Sequence, residues 1–215
     1  PMTAPPSTFS FSSRPLTLQG GAGAIEALCD LPPAHVPLQG VAIIGQPHPL
    51  YGGNMHNKVV QTLARTCTEA GWQAIRFNCR GVGLSAGTHD NGHGEADDMH
   101  AIIEQVSQPH QPLVLAGFSF GTFLACQVAQ RLQAQSAAAA GRLRYLLLVG
   151  TATSRFAIPP VHAQLHGRTL VLHGEQDDVV PLTSVLDWAR PQQTLPVTVL
   201  PGGGHFFHGQ LALLK

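Results

Sequence analysis

One stretch restricts the folds open to this chain more than any other. Leu113-Val114-Leu115-Ala116 is an unbroken apolar run, and Gly117-Phe118-Ser119-Phe120-Gly121 follows it. Phe123, Leu124, Val128 and Leu132 then recur at helical spacing. A short apolar run suits a strand buried on both faces. The chain therefore passes from buried strand to helix across a turn with a serine at its centre. Such a turn lifts the hydroxyl into the open and strains the backbone beneath it. Gly117 and Gly121 avoid the collisions that side chains would make with the neighbouring strand and helix. The helix start behind Ser119 supplies free N–H groups and a positive dipole end, which favour a developing oxyanion.

The five-residue pattern needs its context. Gly83-Leu84-Ser85-Ala86-Gly87 matches it too, but runs into Thr88-His89-Asp90-Asn91-Gly92-His93-Gly94, which is loop chemistry. Ser85 reads as a loop serine, and Ser119 reads as the nucleophile candidate.

Around this stretch the chain alternates. Strands are expected from Thr8 to about Leu18, at an edge, and then at Ala24–Leu31, Val41–Gly45, Trp72–Asn78, Tyr145–Gly150, Thr169–Gly174 and Val197–Leu200. Helices are expected from Asn54 to Ala70, from Glu95 to Gln108, behind Ser119 to about Ala134, and from Leu182 to Ala189. Ser136–Gly141 reads as a fraying helix end capped at Gly141, and Gln210–Lys215 as the start of a final helix. Residues 1–10 read as loose. Short apolar strands alternating with helices call for one α/β domain over residues 1–215, with a mostly parallel sheet covered on both faces. Right-handed crossovers then gather the loops at one sheet edge, where sites in such sheets form.

Composition narrows the partners. Hydrophobic residues make up 44% and charged residues 11%, which excludes a disordered chain. Lys+Arg 12 balance Asp+Glu 12 with no basic run, so nucleic acid and anionic membrane are not expected partners. Cys29, Cys67, Cys79 and Cys126 have neither zinc-knuckle nor redox spacing and read as reduced, buried thiols. No signal-peptide pattern and no apolar run of spanning length occur, so a cytoplasmic location is expected.

The loops after the strands carry the chemistry. A serine hydroxyl needs a base, histidine suits neutral pH, and a carboxylate orients the imidazole. In a strand-turn-helix serine site the chain order is serine, acid, histidine. Ser119, then Asp177 or Asp178, then His205 fit that order. Asp177 is preferred because His173-Gly174-Glu175-Gln176-Asp177 puts it in the turn leaving its strand. His205 is preferred over His208 because it follows the last strand in a glycine-rich turn. The loop Thr151-Ala152-Thr153-Ser154 offers no acid. An oxyanion hole needs two N–H donors. Phe120 supplies one. Pro47 and Pro49 have no N–H, which leaves His48 as the second, with Leu50 or Tyr51 as alternatives.

These residues resemble the α/β-hydrolase superfamily. The resemblance rests on Pro47-His48-Pro49-Leu50-Tyr51-Gly52-Gly53, on Arg76-Phe77-Asn78-Cys79-Arg80-Gly81-Val82-Gly83, on the Ser119 turn and on Gly204-His205-Phe206-Phe207-His208-Gly209. They look like small lidless bacterial serine hydrolases of the dienelactone-hydrolase-like and prolyl-oligopeptidase-like branch. The resemblance implies a serine esterase or acyl hydrolase acting through an acyl-enzyme on a small acyl substrate, with no cofactor. Gln46 departs from the frequent histidine, and Cys79 from the frequent aromatic. Only a short segment containing Phe156-Ala157-Ile158-Pro159-Pro160 stands where lidded relatives insert a cap. An open site is therefore expected, with Tyr51, Phe118, Phe120, Phe156 and Phe206 as candidate walls.

Other classes compete. His89, His93, Glu95, Asp97 and Asp98 offer metal ligands, but a polar glycine-rich loop with a helix cap accounts for them more simply, so no metal is expected. A non-catalytic binding module on the same fold is one alternative reading. A peptidase or acyltransferase with the same three residues is the other.

Overall fold

A computed structural model describes residues 12–215, so the expectation for residues 1–10 lies outside the described part. Eight strands form one sheet in the order β1-β2-β4-β3-β5-β6-β7-β8. They are β1 Ser13–Gly20, β2 Gly23–Asp30, β3 Gly40–Gly45, β4 Trp72–Phe77, β5 Leu113–Phe118, β6 Leu143–Val149, β7 Thr169–Gly174 and β8 Thr198–Leu200. β1 and β2 form a hairpin, and β2 meets β4 antiparallel. Every pairing from β4 through to β8 is parallel.

β3 and β5 are buried at every position, as their all-apolar sequences require. Between the strands run α1 Lys58–Glu69, α2 His93–Val106, α3 Phe120–Gln135, α4 Ala137–Arg142 and α5 Leu182–Ala189. Side chains alternate across the sheet and feed two cores. One joins Ile43, Ile75 and Leu115 to Met99 and Ile102 of α2 and Leu124 and Val128 of α3. The other joins Ala42, Ile44, Val114 and Ala116 to Val59, Val60 and Leu63 of α1.

Three expectations are corrected. α1 starts at Lys58, because the Asn57 side chain caps it by accepting from the N–H groups of Val59 and Val60. Ser136 does not lie in a fraying end: it turns extended at φ −171°, and its hydroxyl accepts from the Ala139 N–H to begin α4, with Gly141 inside that helix. The tail forms only a 3-10 turn, Leu211–Leu214, in place of a final helix.

The edge carrying the loops is pinned by polar ties. Buried Arg76 holds Asp30 through two bonds, at 2.7 and 3.1 Å, and the Met55 carbonyl at 3.0 Å. Ser85 is a buried loop staple. Its hydroxyl donates to the Asn78 carbonyl at 2.7 Å and accepts from the Glu26 N–H at 2.9 Å. The stretch read as a rival metal site is spent otherwise. Glu95 accepts the N–H groups of Asp90 and Gly92 and lies 2.9 Å from His89 Nδ1. Asp98 pairs with Arg80, and Asp97 with Arg131. Among the described residues no helix is long and apolar enough to cross a membrane.

Candidate active site

Ser119 sits between β5 and α3 at φ 55°, ψ −115°, a conformation that a non-glycine residue keeps only when its surroundings impose it. Its N–H donates to the Val149 carbonyl at 2.9 Å. Its own carbonyl accepts from the Thr122 N–H at 2.9 Å and from the Thr122 hydroxyl at 2.6 Å. The glycines make this possible by close approach. A Cβ on Gly117 would stand 2.2 Å from the Gly121 carbonyl oxygen, and one on Gly121 would stand 2.3 Å from that of Gly45. α3 therefore rests directly on the ends of β3 and β5.

His205 follows β8 and reaches over this turn. Its Nε2 lies 3.0 Å from Ser119 Oγ, and its Nδ1 lies 2.6 Å from Asp177 Oδ2. One tautomer serves both contacts, with Nδ1–H donating to the carboxylate and Nε2 accepting from the hydroxyl. Gly150, at φ 61°, leaves the ring its room: a Cβ there would sit 3.3 Å from His205 Cε1.

Asp177 is buried, and both its oxygens are engaged. Oδ1 accepts from the N–H groups of Val179 and Val180 at 2.9 and 2.7 Å. Burial opposes the charge, but the His205 and Val180 hydrogen bonds and the two neighbouring imidazoles outweigh it. The carboxyl is therefore held below its ordinary value and stays ionised. Asp178 is exposed, and so is His208, which lies in the turn before the tail. His205 hydrogen-bonds to Asp177 and Ser119 instead.

Phe120, at the start of α3, and His48, in the loop after β3, line one cavity with Ser119. Their rings lie 5.1 Å apart. The alternative donors are occupied within the loop. Leu50 N–H donates to His48 Nδ1 at 3.2 Å, and Tyr51 N–H to the His48 carbonyl at 3.2 Å. The cavity measures about 550 Å³ and opens between Tyr51, Phe120, Phe156 and Phe206. Phe118 is not a wall: it is fully buried, with its ring 5.1 Å from that of His205.

Four neighbours carry parts that the sequence pattern did not assign. Gln46 is buried, donates to the Pro47 carbonyl at 2.9 Å and accepts from the Cys79 N–H at 2.7 Å, so it clamps the His48 loop. His173 is buried on β7. Its Nε2–H donates to the Val180 carbonyl at 2.7 Å and stands 3.3 Å from Asp177 Oδ2. Thr122 receives the Ala152 N–H at 3.1 Å and so ties the Ser119 turn to the loop after β6. Arg155, in that loop, lines the cavity. Only Gln46 left a signal in the sequence, as a departure from a familiar pattern. The other three are ordinary residues whose placement depends on tertiary contacts.

Residues 49–143 match the family Hydrolase_4, serine aminopeptidase S33. An uncharacterized protein of Rickettsia prowazekii (strain Madrid E) is 42% identical over 94 residues. That match spans 42% of this chain and about 40% of the length of the curated relative. Among solved structures, XC6422 from Xanthomonas campestris, an a/b serine hydrolase without lid, is 36% identical with TM-score 0.84, covering 96% of this chain and 91% of its own. An alpha-beta serine hydrolase homologue from Coxiella burnetii is 32% identical with TM-score 0.76, covering 96% of each chain.

Proposed function

Since the chain belongs to the α/β serine hydrolases without a lid, we propose that it hydrolyses small acyl esters through Ser119, His205 and Asp177. The observation that carries this reading is the unbroken hydrogen-bonded path from Ser119 Oγ through the imidazole of His205 to Asp177. Ser119 Oγ attacks the acyl carbonyl carbon as its proton passes to His205 Nε2. Asp177 keeps the imidazole in the required tautomer and stabilises the imidazolium that results. The N–H groups of Phe120 and His48 receive the oxyanion. Collapse of the tetrahedral intermediate expels the alcohol, which takes the proton from His205 and leaves an acyl-Ser119 ester. Water, activated by the same imidazole, then releases the acid and restores the hydroxyl.

Among the described residues no segment closes over the cavity, so the site suits short or exposed acyl groups. Four free, buried thiols fit a reducing compartment, the cytoplasm. The match to serine aminopeptidases favours one second reading, a peptidase using the same three residues.

A fluorophosphonate probe followed by peptide mapping tests the chemistry. The expected result is one adduct, on Ser119, absent in Ser119→Ala and retained in Ser85→Ala. A panel of 4-nitrophenyl esters beside aminoacyl 4-nitroanilides separates the readings. Turnover of the anilides but not the esters would favour the peptidase.

A further inference from the structure

The cavity beside Ser119 has an uneven charge. Arg155 is the one permanently charged side chain among the described residues that line it, and no carboxylate lines it. Asp177 lies behind His205, and Asp178, though adjacent in sequence to Val179, does not line the cavity. Arg155 has no ion-pair partner among the described residues. Among the described residues its side chain makes one long hydrogen bond, 3.4 Å to the Val179 carbonyl.

Its placement is nevertheless defined. Arg155 and Phe156 both return their N–H groups to the Ala152 carbonyl at 3.1 Å. Ala152 is in turn held by Thr122, which is bonded to Ser119. The guanidinium is thus carried on a turn anchored to the nucleophile. The wall formed by His48 adds a donor. Its Nδ1 is occupied by the Leu50 N–H, so the proton of the neutral ring resides on Nε2. Burial, then the His89 and Arg155 charges, hold this imidazole below its usual pKa against the opposing pull of Glu95. An anion entering the cavity meets a guanidinium. An ammonium group meets a like charge and no carboxylate.

Resting on the esterase reading above, we infer that the substrate is an ester bearing a carboxylate, which Arg155 recognises at the mouth of the cavity. Arg155 is a specificity residue, and the aminopeptidase reading is disfavoured by the same charge.

Two matched substrate pairs test this. One is mono-4-nitrophenyl adipate against its methyl ester, with the charge on the acyl side. The other is 4-acetoxybenzoate against methyl 4-acetoxybenzoate, with the charge on the leaving side. Each pair is measured on one enzyme sample, so the ratio of kcat/KM is independent of how much of a variant folds. The guanidinium is exposed, so a preference of about fivefold for the charged member is expected in at least one pair. It should shrink toward unity in about 0.5 M NaCl. Arg155→Ala should abolish the ratio, Arg155→Lys should keep part of it, and Arg155→Glu should invert it. Equal or faster turnover of the neutral member in both pairs overturns the inference, as does a preference that survives in Arg155→Ala. Failure of the wild type to turn over any member of either pair, or turnover that persists in Ser119→Ala, overturns the esterase reading beneath it.

Discussion

The Nε2 of His173 stands 3.3 Å from Asp177 Oδ2, the same oxygen that His205 Nδ1 holds at 2.6 Å. His173 also fixes the Val180 carbonyl, and the Val180 N–H fixes the other carboxylate oxygen. The acid is therefore braced on both sides by a ring that never meets substrate. His173→Phe keeps the bulk and removes the N–H. Its expected effect is a fall in kcat of about tenfold with KM within about twofold, because orientation of the acid matters to the transition state more than to binding. A merely structural role would lower the melting temperature and leave kcat per folded molecule unchanged. Active-site titration with the fluorophosphonate, beside steady-state kinetics, distinguishes these outcomes.

Acid should lower the stability of this protein over two pH ranges. Burial, only partly offset by the Val180 hydrogen bond and the Asp177 charge, pushes the His173 pKa down. Below about pH 6.5 the unfolded chain takes up a proton at this histidine that the folded chain refuses, so stability falls from there. The Asp177 pKa is also lowered, and its contribution is complete above about pH 3.9 and lost as pH drops through the folded value. Melting temperatures across pH 4 to about 8 should decline below about 6.5 in the wild type. The upper part of that decline should be shallower in His173→Phe. Identical pH slopes for the two proteins would remove His173 from the account.

The fold, and the meeting of Ser119, Asp177 and His205, were legible because each is announced locally. The Ser119 turn needs glycine at 117 and 121 for close backbone approach, and those glycines stand in the sequence on either side of the serine. Asp177 and His205 follow strands whose apolar runs are plain. Elsewhere local pattern met competition. Ser136 read as part of a fraying end, yet a serine side chain competes for backbone N–H groups and starts a new helix there. Phe118 read as a candidate wall, but alternation along β5 turns it into the core, its ring 5.1 Å from that of His205. His173, Thr122 and Arg155 act through partners 4 to about 30 residues away in sequence, and no spacing rule joins them.

Gln46 offers the last test, of how the His48 loop is held. Its amide bridges the Pro47 carbonyl and the Cys79 N–H, so the loop is anchored to the end of β4 from within a fully buried position. Gln46→Ala would leave that amide and that carbonyl without their partner and open a small cavity beneath the loop. Donors for a developing oxyanion act only if they are held in place before the charge forms. The expected result is therefore a loss in kcat of about tenfold to a hundredfold, smaller than removing a donor outright, with little change in KM. Gln46→Glu keeps the acceptor toward Cys79 but loses the donor toward Pro47, so it should fall between wild type and alanine. If Gln46→Ala instead raised KM at constant kcat, the loop would be serving ground-state binding, and His48 would lose its place as an oxyanion donor.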